Sequence, residues 1–140
     1  YAGLTANYYE GKWDALPNFN SLSAKQKTRV AAPDLNLVKT RKEHYAIRFS
    51  GYIDIPKTGV YRFYVLSDDG SQVYIDRQLL VDNDGNHGDL EKSGEMALSA
   101  GTHEIAIHYY QNGSGQSLTV YLEGGGMEKK IIPAAILHTK

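Results

Sequence analysis

The sequence predicts an all-β domain, an antiparallel β-sandwich, and three observations carry that prediction. Beyond residue 43, apolar and polar residues alternate with period two, the pattern of half-buried strands. Turn chemistry recurs about every ten residues, as it does in sandwiches and barrels. No segment of any length repeats its apolar residues at helical spacing.

Taken in order, the first part of the chain is the least regular. Leu4 to Tyr9 reads as an edge strand, and Trp13 to Val38 as a long connection. From His44 to Ile55 the residues Tyr45, Ile47, Phe49, Ile53 and Ile55 share one parity, with His44, Arg48, Ser50 and Asp54 on the other. Pro56-Lys57-Thr58-Gly59 is turn chemistry, Pro fixing φ and Gly supplying a positive one. Tyr61, Phe63 and Val65 then alternate with Arg62 and Tyr64 up to a break at Gly70. Val73 and Ile75 resume the pattern, and a turn at Asp76-Arg77-Gln78 leads to Leu79 and Val81. Met96 to Leu98 precedes a Ser99-Ala100-Gly101-Thr102 turn, after which Ile105, Ile107 and Tyr109 alternate with Glu104, Ala106 and His108. The loop from Gln111 to Gln116 feeds Leu118, Val120 and Leu122, and Gly124-Gly125-Gly126 reads as a hairpin tip.

Composition narrows the function classes. One hundred and forty residues read as one domain, 1–140, opening at Tyr1 in the manner of a module excised from a larger protein. The absence of cysteine removes disulfides, thiolate metal sites and cysteine nucleophiles. Fifteen Lys and Arg against 16 Asp and Glu leave no basic field for nucleic acid, and no apolar run is long enough for membrane insertion. Tyrosine supplies 11 of the 15 aromatics, a residue suited to half-buried sheets and wet binding faces alike.

Among motifs, Ser67-Asp68-Asp69-Gly70 is the most suggestive. Neighbouring side chains of a regular strand point to opposite faces, so Asp68 and Asp69 reach one ion only if the backbone departs from that geometry, for instance at a cis peptide. The alternative is an Asp-Asp-Gly turn whose carboxylates cap nearby N–H groups. Asp82-Asn83-Asp84-Gly85-Asn86-His87-Gly88 fails as an EF-hand, since His87 stands where Gly is required and Ser93 where a bidentate Glu is required, and reads as an Asx-rich loop. The five histidines form no zinc pair. Asp68 and Asp69 sit on one loop, so they cannot flank a glycosidic bond, and no hydrolase or phosphate-loop motif follows a strand. Catalytic residues are therefore not expected.

An ordered series of short motifs nevertheless resembles a known family. Gly3-Leu4 with Asn7-Tyr8-Tyr9, Phe49-Ser-Gly-Tyr-Ile53, Gly59-Val-Tyr-Arg-Phe-Tyr64, Ser67-Asp-Asp-Gly70, Val73-Tyr-Ile-Asp76, Asp82-Asn83, His87-Gly88, Gly101-Thr-His103 and Ile132-Pro133-Ala-Ala-Ile-Leu137 together are similar to the PA-14 family. The resemblance implies a β-sandwich binding module of secreted glycosidases, adhesins, proteases and toxins. It implies Ca²⁺ held by the Asp68–Asp69 pair, the Asn112 side chain and the carbonyls of Ser114 and Gln116. It further implies a glycan on that ion through Asp68, Asp69 and Asn112. The aromatic side chain of Tyr110 or Trp13 is the expected apolar platform for a pyranose ring. The expected protein is a non-catalytic carbohydrate-binding module, extracellular, cell-surface or periplasmic, covalently attached to a catalytic domain such as a β-hexosaminidase-like glycosidase. The competing expectations are a structural or protein-docking accessory domain without metal or sugar, and a free-standing hydrolase.

Overall fold

The computed structural model of the chain describes residues 1–139, and it is the antiparallel sandwich that the alternation predicts. The strands in chain order are β1 (Leu4–Glu10), β2 (Gln26–Val30), β3 (Tyr45–Ile55), β4 (Gly59–Asp68), β5 (Ser71–Ile75) and β6 (Gln78–Asn83). They are followed by β7 (Leu90–Leu98), β8 (Gly101–Gln111), β9 (Ser117–Gly124), β10 (Met127–Ile131) and β11 (Leu137–His138). One sheet runs β2-β1-β3-β8-β5-β6 with β11 also paired to β3, and the other runs β10-β9-β4-β7. Among the described residues, helical structure is confined to 3-10 turns at Phe19–Ser21, Leu35–Leu37 and Ala134–Ile136.

The core lies between the sheets and uses the predicted parity. Ile47, Phe49 and Ile53 of β3, Tyr61, Phe63 and Val65 of β4, and Ile105 and Ile107 of β8 are buried there. Three of the tyrosines, Tyr45, Tyr61 and Tyr109, are fully buried in the same core. A phenol can be buried there because its hydroxyl reaches a partner at an end of the sandwich. Tyr45 donates to Gln116 Oε1, Tyr61 to the Lys57 carbonyl and Tyr109 to the Asp68 carbonyl, each at 2.5 Å.

Two expectations for the N-terminal part are corrected. β1 is not an edge strand: Leu4 to Tyr8 pair with β2, and Thr5 to Glu10 pair with β3 on the other side. The connection from Trp13 to Val38 is not bare loop, because it contains β2 and two of the 3-10 turns. β2 is polar on both faces apart from Val30, so a search for alternating apolar residues passes over it. For the same reason β7 runs from Leu90, where only Met96 to Leu98 suggested a strand. The β5–β6 turn has positive φ at both Asp76 (49°) and Arg77 (67°), the geometry of a type I′ hairpin without glycine. Asp76 holds it through Oδ1, which accepts from Glu104 N at 3.0 Å, while Arg77 forks onto the Glu104 carboxylate at 3.0 and 3.2 Å.

Both ends of the chain lie side by side. Gly3 N donates to the Leu137 carbonyl (3.0 Å) and Thr139 N to the Tyr1 carbonyl (2.7 Å). Along β3, β11 pairs with Tyr52 and Ile53, whereas the loops of interest sit at the other end, where Tyr45 pairs with Gln111.

Candidate functional site

At the Tyr45 end of the sandwich three loops converge on the acidic pair. β4 ends at Asp68, and the Asp68–Asp69 peptide is cis, a departure from the regular strand. Gly70 follows with its backbone pressed onto its neighbours: an added Cβ would lie 2.4 Å from Tyr110 Cε1 and 2.8 Å from Gly85 N. Asp69 is 6% exposed and works as a clamp. Its Oδ1 accepts from His87 N at 3.2 Å, and its Oδ2 accepts from Asn112 N at 2.8 Å. One carboxylate thereby ties the 84–88 loop and the 111–116 loop to the turn between β4 and β5. Each oxygen keeps a second lone pair for another partner.

Asp68 is placed differently. Its side chain accepts no hydrogen bond among the described residues, and it is half-buried. Burial, then the Asp69 and Asp89 carboxylates, push its carboxyl above the ordinary range, opposed by His87. Gly115 lets the second loop close over it, since a Cβ there would come 2.8 Å from Asp68 Oδ2. Asn112 turns its amide oxygen into the structure, where Oδ1 is buried without a hydrogen-bond partner among the described residues. Ser114 has positive φ (69°), and its carbonyl faces Gln111 Nε2 at 3.5 Å. Gln116 spends its side chain on the Tyr45 hydroxyl, so its main-chain carbonyl is the atom left for a ligand. Among the described residues no group of three or more His, Cys, Asp and Glu is placed to hold a metal. The oxygens that these residues carry, carboxylate, amide and carbonyl, are of the type that ligates a hard cation such as Ca²⁺ rather than zinc.

The two platform expectations divide. Tyr110 is fully buried, so its ring offers no face to a sugar. The parity argument fails there because Trp13, Leu16, Phe19 and Leu22 fold over the outer side of the large sheet and enclose Tyr9, Ala46 and Tyr110. The Tyr110 hydroxyl donates to Asn86 Oδ1 (2.8 Å) and so braces the 84–88 loop. Trp13 is half-buried on this cluster, its ring lying against Gly11, where a Cβ would meet Cζ2 at 2.7 Å.

Several supporting residues went unread in the sequence. Ser67 donates to the Asp69 carbonyl (2.8 Å) and shares a 2.6 Å hydrogen bond with Ser71. Asn83 donates to the Leu90 carbonyl at 2.8 Å and lies 3.3 Å from Ser67 Oγ. His87 sets its ring between the carbonyls of Asn83 and Gly88, each at 2.8 Å. A signal existed: Ser67, Ser71 and Asn83 occupy core parity on their strands, and polar residues there need partners.

A family model of the PA14 domain matches residues 2–134. The chain belongs to the PA14 domain family. Over 98 residues, 69% of this PA14 domain, it is 30% identical to the anti-sigma-I factor RsgI3 of Acetivibrio thermocellus, of which it spans 15%. An anti-sigma factor domain-containing protein from Clostridium clariflavum superposes with a TM-score of 0.84 at 20% identity, covering all of this chain and 48% of that one. A PA14 sugar-binding domain from an RTX adhesin superposes with a TM-score of 0.83 at 18% identity over 99% of both chains. The module thus spans a small part of the curated relative and about half of the clostridial structure. No helix among its described residues is long and apolar enough to cross a membrane.

Proposed function

We propose that this PA14 domain is a non-catalytic carbohydrate-binding module that grips its glycan through a Ca²⁺ ion at the Asp68–Asp69 turn. The observation that carries the reading is the Asn112 amide oxygen, buried and unpartnered on a residue whose main-chain N–H is held by the Asp69 carboxylate. A buried acceptor without a donor is costly, and a cation would satisfy it. Asp68, Asp69, the Asn112 side chain and the carbonyls of Ser114 and Gln116 would hold the ion. Bound there, Ca²⁺ supplies open coordination positions for vicinal sugar hydroxyls. Asp69 fixes the loop spacing, Gly115 admits the second loop, and Trp13, half-buried on the cluster that encloses Tyr110, would supply the apolar surface. The sugar-binding description of the similar adhesin domain supports the ligand class.

With two formal ligand charges the affinity is expected near the ~10⁻⁴–10⁻³ M of extracellular modules, and the similar adhesin domain supports a setting outside the cytoplasm, at the cell surface or in the periplasm. Attached to a secreted glycosidase, such a module would hold the catalytic domain on its substrate. The anti-sigma factor relatives favour a second setting, in which the same site reports extracellular glycan to a signalling protein. Deleting the module from the full-length protein separates them: the first loses turnover on polysaccharide, the second loses a transcriptional response to it.

Calorimetric titration of Ca²⁺ into the wild type and Asp68→Asn tests the ion, and a glycan array with and without Ca²⁺ tests the ligand. Binding heat in the wild type alone, with Ca²⁺-dependent glycan capture, is the expected result. Absence of heat together with a melting temperature indifferent to EDTA refutes the metal. Silence on the array with Ca²⁺ present leaves the accessory docking role.

A further inference from the structure

We infer that this domain carries a second, metal-independent glycan site: a trough on the outer face of the large sheet that takes a neutral, extended oligosaccharide. The strand register builds it. Ser50 of β3 lies opposite Ala106 of β8, which lies opposite Tyr74 of β5, while Tyr52 of β3 lies opposite Glu104. Small side chains thus form a floor between two tyrosines, giving a hollow of about 360 Å³ rimmed by Arg77 and Glu104. Beyond Tyr74 a second hollow of about 460 Å³ continues over Gln72, Phe19 and His108, so the surface extends beyond a single sugar ring.

The two tyrosines are held in place. Tyr52 stacks on His138 with 5.6 Å between centroids and 22° between planes. Tyr74 leans on His108 at 4.7 Å and donates its hydroxyl to Gln72 Oε1 at 2.9 Å. Ordered, half-exposed phenols offer an apolar face at low entropic cost, which suits the C–H face of a pyranose.

The lining also argues against other occupants. Arg77 is paired with Glu104 at 3.0 Å, burial pushes His108 down to about 4 so that it is neutral at pH 7, and in the second hollow Arg48 is offset by Asp84, so the lining has no net charge to select an anion. β1, β3, β8 and β5 are each paired on both sides, leaving no strand edge in the trough for a peptide to extend. Neutral hydroxyls over aromatic faces are the chemistry that fits.

This site is separate from the acidic turn. Tyr52 is seven residues along β3 from Tyr45, the residue paired with Gln111 at the loop end, roughly 23 Å at strand rise. Failure of the Ca²⁺ reading therefore leaves it standing, and the reverse.

The test is a titration of the isolated chain in EDTA with cellohexaose, xylohexaose and mannohexaose at millimolar concentration, read by NMR at the tyrosine ring resonances. At least one hexasaccharide is expected to shift Tyr52 and Tyr74 without Ca²⁺, and to do so equally in Asp68→Asn. Tyr74→Ala should weaken that binding about tenfold, about 1.4 kcal/mol. Ala106→Leu, which raises the floor and keeps both tyrosines, should weaken it as well. The inference is overturned if none of the three sugars moves these rings, if the shifts need Ca²⁺, or if folded Tyr74→Ala and Ala106→Leu both bind like the wild type.

Discussion

Asp68→Asn should change the sign of its effect on stability when calcium is added. The Asp68 carboxylate accepts no hydrogen bond among the described residues, so the amide breaks none. Its charge is disfavoured by burial and by the Asp69 and Asp89 carboxylates, so removing it relieves the metal-free protein. Half-exposed charges are screened, which limits the gain to below about 1 kcal/mol. With Ca²⁺ at a hundred times its dissociation constant, the wild type gains about 2.7 kcal/mol by linkage. A domain of this size then melts on the order of 10 °C higher. Deprived of a ligand, the variant should gain little of this. Thermal melts of both proteins in EDTA and in excess Ca²⁺ should therefore cross, the variant slightly higher without the ion and clearly lower with it. Two results would refute the reasoning. A variant destabilised in EDTA means that the Asp68 carboxylate is a structural acceptor, and equal calcium gains in both proteins mean that the ion binds elsewhere.

Asp69→Ala should cost roughly 3–5 kcal/mol even without metal, because two charge-assisted bonds disappear and leave the His87 and Asn112 N–H groups unpaired; urea unfolding in EDTA measures it, and a loss under about 1 kcal/mol would exclude the clamp. Gly70→Ala forces a Cβ to within 2.4 Å of Tyr110 and should destabilise by about 1–3 kcal/mol while loosening the 84–88 loop, visible as faster amide exchange at His87. Asn83→Ala strands the Leu90 carbonyl and should cost about 1–3 kcal/mol by the same denaturant assay, with unchanged stability disproving its bracing role. The His138–Asp54 pair (2.9 Å) predicts a pH dependence. Its hydrogen bond, with help from the Thr139 carbonyl, raises His138 above 6.5, so that contribution is complete below 6.5 and fades as pH rises through the folded value. The same bond lowers Asp54, whose contribution is present above 3.8 and lost as pH falls through its folded value. The melting advantage of wild type over His138→Gln should thus be greatest between pH 3.8 and 6.5 and fade as pH rises through the folded His138 value, and a pH-independent difference would rule out the ion pair.

What could be read in the sequence follows from what alternation reports. β3, β4, β8 and β9 bury one face each, so their period-two pattern is plain, and the fold class follows. β2 and the first half of β7 bury almost nothing, and their pairing is a backbone matter that side-chain pattern does not record. Around the acidic turn, Asp68 and Asp69 stood out by residue type, whereas Asn112 entered only through the family resemblance. His87 did not stand out, because it contributes a main-chain N–H, which any residue supplies. Tyr110 misled because parity tells which side of a sheet a residue faces, not what the rest of the chain lays over that side.

The pairing of the two chain ends has a mechanical meaning. Tyr1 and Thr139 meet beside the Tyr52–Ile53 segment of β3, and the Asp68 turn lies at the opposite pole. Whatever is joined to this domain leaves from one pole as two adjacent threads, so it can be looped into a host chain without stretching its neighbours. Tension along such a host would fall first on the short β11 and the start of β1, peeling their few bonds one at a time, while the loops around the Asp68 turn at the far pole stay unloaded until the ends have opened.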